Sequence, residues 1–251
     1  MQLKIYKDHD TLSAQVVNEI ITVVKNKPDA VLCLAAGDTP RLAYTLLAKM
    51  ARDEKIDFTH CSFVGLDEWV SIPPQNEGSC HYFLQTCIFD PLQITPSQVH
   101  LFDALSKDLE KECEATNKLI VEKGGIDLML VGVGMNGHIG FNEPGAPFNY
   151  DAHVIDLDDV TQSIGQKYFS EPTVVKKGIT LGLNQFLQSR KAILMANGLK
   201  KASVIRKALE EEIVADMPAS IIRMHANGWV MIDEEAASSL KNLRVIQKNA
   251  E

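Results

Sequence analysis

The 251-residue chain is defined first by what it lacks. Its five cysteines (Cys33, Cys61, Cys80, Cys87 and Cys113) are odd in number, scattered, and form no CxxC pair. That pattern excludes a disulfide framework, and isolated thiols point to the reducing cytoplasm. Neither histidine nor cysteine recurs at metal-ligand spacing, so no metal is expected. Basic residues are outnumbered, 25 Lys and Arg against 33 Asp and Glu, for a formal net charge of −8. The basic face of a nucleic-acid binder is therefore absent. No apolar run approaches the length of a membrane span, and the opening MQLKIYKDHD has no signal-peptide core. Linkers, repeats and low-complexity tracts are missing too, so residues 1–251 are expected to form one domain. These absences leave a cytoplasmic enzyme or a binding domain for a small molecule, free to assemble as a homo-oligomer.

What is present is ordinary globular composition, 45% hydrophobic and 23% charged. Short apolar or alternating runs at residues 3–6, 30–34, 61–66, 128–131, 152–157, 177–181, 191–196 and 229–232 read as strands. Between them lie helical patterns. Leu12, Val16, Ile20, Val23 and Val24 recur at helical spacing within 11–25, with Asp8 or Asp10 as the cap. Further helices are expected from Pro40 to about 52, at 80–89, 105–123 and 183–188, from 198 to about 209, and at 218–225 and 234–240. Such alternation predicts an α/β, modified Rossmann-like fold: a mostly parallel sheet with helices on both faces.

The stretch 127–144, DLMLVGVGMNGHIGFNEP, dominates the sequence. A buried-strand pattern breaks into four glycines within nine residues, where the backbone can adopt positive φ and a ligand can approach closely. Asn136, His138 and Glu143 form a proton-transfer set just beyond the strand, where open α/β sheets place ligands. A carboxylate on one imidazole nitrogen fixes the tautomer and frees the other to exchange a proton. Gly132, Gly134 and Gly137 spell GxGxxG, but no helix follows and no acid is clearly placed about 20 residues on, which argues against a nicotinamide cofactor.

Three other loops carry chemistry. AAGDTP (residues 35–40) leaves a strand and opens a helix, a phosphate-binding arrangement using Gly37, Asp38 and Thr39, though a carboxylate at 38 repels phosphate unless it points outward. A tight capped turn is the plainer alternative. Asp67, at the end of the 61–66 strand and followed by Glu68 and Trp69, is a carboxylate whose pKa desolvation could raise; one acid of the pair could merely cap a helix. Lys201, after Gly198, and Lys167 could reach a phosphate.

AAGDTP, GLDEW, GVGMNGHIGFNEP, GLKKA and MPASIIRMH occur in the order seen in the glucosamine-6-phosphate deaminase (isomerase) family, which this chain resembles over nearly its whole length. That family shares a superfamily with the galactosamine-6-phosphate isomerases and, more distantly, the 6-phosphogluconolactonases. The resemblance implies a cofactor-free conversion of a 2-amino-2-deoxyhexose 6-phosphate to a ketohexose 6-phosphate with loss of ammonia, for which both isomerase and hydrolase are expected labels. It implies that Asp67 moves a proton between C2 and C1, that His138 opens the pyranose ring with Glu143 behind it, and that Thr39, the backbone at Gly37 and Asp38, and Lys201 hold phosphate. Asn136 stands where some members carry an acid and is expected to orient His138 through its carbonyl. Lys167 replaces an arginine, keeping the charge without the bidentate fork. Tyr150, Asp151 and Ala152 replace Ser-Arg-Thr, which speaks against the effector site of the allosteric members. A galacto substrate, a lactonase and a non-catalytic sensor are the rival readings.

Overall fold

The computed structural model describes residues 1–241. The run LMLV forms β6 (Leu128–Val131), buried along its whole length. Alternate side chains leave opposite faces, so Leu128 and Leu130 join one apolar cluster and Met129 and Val131 another. The same division holds across β2 (Val31–Leu34), β9 (Ala192–Ala196) and β10 (Gly228–Asp233). With β1 (Gln2–Tyr6), β3 (Ser62–Val64) and β5 (Val99–His100) they build a seven-stranded sheet, order β1-β10-β9-β6-β2-β3-β5. Every pairing in it is parallel.

Helices α1 (His9–Asn26) and α2 (Asp38–Glu54) pack on one face. Asp8 provides the cap of α1, accepting from the Thr11 amide at 2.8 Å. On the other face lie α5 (Leu109–Glu122), α7 (Leu183–Gln188), α8 (Ala202–Glu210) and α9 (Glu234–Ala237). The 80–89 segment divides into α3 (Cys80–Leu84), a π turn (Gln85–Phe89) and the single turn α4 (Asp90–Leu92). Residues 218–225 wind instead as a 3-10 helix, Pro218–Met224. The helix expected from 105 starts at Leu109, where the Asp108 side chain caps it. No helix among the described residues is long and apolar enough to cross a membrane.

Two features depart from expectation. Asp67 does not end the third strand. The chain leaves β3 at Val64, turns through Gly65 and Leu66, and enters a separate strand, β4 (Asp67–Trp69). There it joins β7 (His153–Asp156) and β8 (Lys177–Thr180) in an antiparallel three-stranded sheet, order β4-β8-β7. Trp69, Ile72, Phe141, Leu157 and Phe169 fill a small core of its own, with the Trp69 and Phe141 rings 4.5 Å apart. The second feature is α6 (Asp159–Gly165), capped by Asp158, in a stretch where no element was expected.

Candidate active site

Strand order reverses between β2 and β6. From β2 the sheet runs outward to β3 and β5; from β6 it runs the other way to β9 and β10. The chain leaves β2 for α2 on one face, while the segment after β6 serves the other. Such a switch point opens a crevice at the strands' carboxyl ends. A cavity of about 400 Å3 lies there, and Gly37, Asp38, Thr39, Asp67, His138, Lys167 and Lys201 all line it. Asn136 and Glu143 stand behind that wall, in contact with each other and with His138.

One end is built to hold an anion. Gly37 takes φ +123°, open to glycine but strained for other residues, and turns the chain straight from β2 into α2. No side chain caps that helix, and Pro40, within its first turn, has no N–H. The amides of residues 37–39 and the positive end of the dipole are left for a ligand. Lys201 approaches from the turn after β9, its Nζ donating to the Val133 carbonyl at 2.5 Å. Burial, helped by the nearby positive Lys167, lowers its pKa to about 8. Asp233, buried at the end of β10, sets this turn in place by accepting from the Gly198 amide at 2.9 and 3.0 Å and from Ala236 N at 2.8 Å. Lys167 sits over the Tyr168 ring, 4.7 Å from its centroid, and its Nζ lies 2.6 Å from Asp38 Oδ2. The Asp38 side chain is thus a lysine partner; its backbone alone faces the phosphate role expected of it.

The adjacent acids of β4 divide the work. Glu68 is 4% exposed and accepts from the amides of Trp69 (2.9 Å), Cys80 (3.0 Å) and His81 (2.8 Å), capping α3. It is the helix-capping acid of the pair. Asp67 is the one that lines the cavity. Burial pushes its carboxyl up to about 7; the Cys80 thiol beside it works against that, and the negative Glu68 adds to it. A carboxyl poised near neutrality both takes and gives a proton at working pH.

His138 is held from behind. Its Nδ1 lies 3.1 Å from Thr161 Oγ1 and 3.4 Å from Glu143 Oε2. A carboxylate only accepts, so Nδ1 carries the hydrogen and Nε2 is left as the acceptor. Burial alone would raise the Glu143 pKa, but the hydrogen bond and charge of His138, with Thr161 and Asn136, hold it below the ordinary glutamate value. The imidazole lies flat over Gly134, where a Cβ would come within 2.3 Å of the ring; only glycine fits. Asn136 acts differently from expectation. Its amide nitrogen donates to Glu143 Oε2 at 2.8 Å, and its carbonyl accepts the His138 backbone N–H, not the ring. It orients the carboxylate, and the ring only through it.

Asn142 explains the next part of the motif. Its amide donates to the Ile139 and Leu181 carbonyls at 2.9 and 2.8 Å, tying the loop to β8. The residue that sequence reasoning missed is Thr161, which α6 places on His138 while Val160 and Ile164 of the same helix line the cavity. The Asp158-Asp159 pair is a helix-start signal that could have found it.

Residues 8–231 match the family model described as glucosamine-6-phosphate isomerases/6-phosphogluconolactonase. A glucosamine-6-phosphate deaminase of Bacillus pumilus (strain SAFR-032) is 39% identical over 234 residues, covering 93% of this chain and 97% of that protein. Glucosamine-6-phosphate deaminase 1 of Bacillus subtilis (strain 168) is 36% identical, covering 95% and 98%. Among solved structures, a monomeric glucosamine-6-phosphate deaminase superposes with TM-score 0.92 at 35% identity, covering 95% of this chain and all of that one. The 6-phosphogluconolactonase of Trypanosoma brucei reaches TM-score 0.75 at 18% identity, covering 96% and 98%, a likeness of fold alone.

Proposed function

The chain belongs to the glucosamine-6-phosphate isomerase/6-phosphogluconolactonase family, and from that membership we infer that it converts glucosamine 6-phosphate to fructose 6-phosphate with release of ammonia. Full-length similarity to named deaminases favours this reading over a galactosamine-6-phosphate enzyme and over a lactonase. The same similarity corrects the hydrolase label: the relatives' activity makes this an isomerase of amino-sugar metabolism.

The observation that carries the reading is Asp67, a carboxyl with a pKa near 7 sharing one cavity with His138 and an uncapped helix N-terminus flanked by lysines. The phosphate is held by the amides at Gly37, Asp38 and Thr39, by Lys201 and by Lys167. That anchors C6 and leaves the sugar to span the cavity. His138 takes the proton of the anomeric hydroxyl on Nε2 and passes it to the ring oxygen, which breaks the C1–O5 bond and opens the ring, while Glu143 stabilises the imidazolium formed in between. Asp67 then removes the proton from C2 of the open aldose and returns it to C1, which leaves an iminium at C2 that water hydrolyses to the ketone with release of ammonia. One carboxyl suffices because the two carbons are neighbours and the residue's pKa lets it act in both directions. Neither step calls for a cofactor or a metal from these residues.

Five free cysteines support a reducing, cytoplasmic location. The structural relative described as monomeric lends no support to a homo-oligomer. The test is ammonium release from glucosamine 6-phosphate and galactosamine 6-phosphate, beside hydrolysis of 6-phosphogluconolactone. Ammonium from the gluco substrate is expected to lead by at least tenfold. Lactone turnover without ammonium would overturn the proposal.

A further inference from the structure

The Asp38–Lys167 contact is the one part of the site that works against the proposed substrate. Both side chains line the cavity, yet they come from positions 129 residues apart: Asp38 opens α2, and Lys167 lies on the 3-10 turn that follows α6. Nζ and Oδ2 are 2.6 Å apart. The cation expected to greet a phosphate is thus already paired with a carboxylate. That carboxylate also sits on the first residue of the helix whose amides form the anion site.

A phosphate held by those amides brings negative charge beside Asp38, and like charges at such range repel. Lys167 has donors for both, but holding both would keep the carboxylate and the phosphate within a few ångströms of each other around one compact charge. Asp38 has room to leave. Its side chain is 58% exposed and that of Lys167 is 49% exposed, while the Tyr168 ring stays under the ammonium. The exchange is therefore one anion for another beside a single ammonium.

We propose that Asp38 is a specificity-determining counter-ion: it holds Lys167 in the empty site, and substrate phosphate must displace it. This rests on the phosphate site of the proposed function. Asp38 offsets the charge of Lys167, which lowers affinity for stray anions and makes binding depend on an anion that the α2 amides and Lys201 also grip. The pair thus sets how tightly the enzyme binds its substrate through C6.

The experiment reads equilibrium binding of inorganic phosphate by calorimetry, beside KM for glucosamine 6-phosphate, in the full chain carrying Asp38→Asn or Asp38→Ser. Both variants are expected to tighten phosphate by about three- to fivefold, the scale of a partly exposed ion pair, and to lower KM in proportion. Lys167→Met is expected to weaken phosphate more in the Asp38→Asn background than in wild type, because there the lysine is unpaired. Unchanged or weaker phosphate binding in both neutral variants, with thermal unfolding as in wild type, would overturn the proposal, as would equal Lys167→Met effects in the two backgrounds. Asp38→Ser, a good helix starter, covers any loss of helix stability in the Asn variant. Phosphate binding is read without turnover. Absence of ammonium release would therefore sink the functional reading and leave the Asp38 result intact.

Discussion

Replacing Asp67 by Asn should inactivate the enzyme and at the same time stabilise it. The carboxyl titrates near 7 in the folded protein against an ordinary value of 3.8, because burial opposes its charge. A folded-state pKa above the unfolded one means the folded state binds the proton more tightly. Stability attributable to this group is therefore full below about pH 4 and is lost as pH rises through 7. About three units at 1.36 kcal/mol each give an upper limit of about 4 kcal/mol. Asp67 is only partly buried and lines an open cavity, so about half of that is a fair expectation. Asn is isosteric, carries no charge, and can still accept from the Cys80 thiol. The variant should match wild type near pH 4 and unfold about 5 °C higher at pH 8, given about 2–4 °C per kcal/mol for a chain of this size. Turnover should fall by at least 10²–10⁴. Thermal unfolding from pH 4 to 8, with ammonium release at saturating substrate, measures both. Equal melting temperatures throughout, or turnover within tenfold of wild type, would refute the reasoning.

Other outcomes follow from the same geometry. In the proposed phosphate site Lys201 acts as the ammonium, and burial lowers its pKa to about 8, so KM for the sugar phosphate should climb as pH passes 8, by up to about tenfold per unit. Lys201→Met should raise KM at every pH and remove that inflection; an unaltered inflection assigns it elsewhere. Thr161→Val removes the hydroxyl 3.1 Å from His138 Nδ1 and should lower kcat about tenfold, with KM nearly constant and a shifted pH profile. A change confined to KM would contradict a role in orienting the imidazole.

The loops were legible in the sequence because their chemistry is local. AAGDTP and GHIGFNEP contain, within a few residues, the glycines, the proline and the acid/base groups that the backbone needs there. Their meeting in one crevice follows from the parallel order of β2 and β6, which the apolar strand pattern foreshadows. What stayed hidden depends on distant partners. Asp67 and Glu68 are neighbours of the same type; which one reaches the cavity is decided by the Cys80 and His81 amides that claim Glu68. α6 escaped notice because its two large apolar side chains, Val160 and Ile164, are 43% and 39% exposed at the cavity and make no buried stripe. β4 is three residues long and owes its strand form to pairing with β8, 113 residues on at Asp67↔Thr180. The amide of Asn136 could have faced the ring or the carboxylate; the position of Glu143 settles that, and Thr161 then takes the place beside Nδ1 that the amide carbonyl was expected to fill.

Transfer of a proton between C2 and C1 by one protein carboxyl leaves a mark in the product, read by running the reaction on glucosamine 6-phosphate in deuterium oxide and following C1 by NMR. Fructose 6-phosphate should carry no more than one deuterium at C1, confined to a single face, and Asp67→Asn should give no product. Deuterium on both faces of C1 at early times, or ketose formed at wild-type rate by the Asp67→Asn variant, would contradict that transfer.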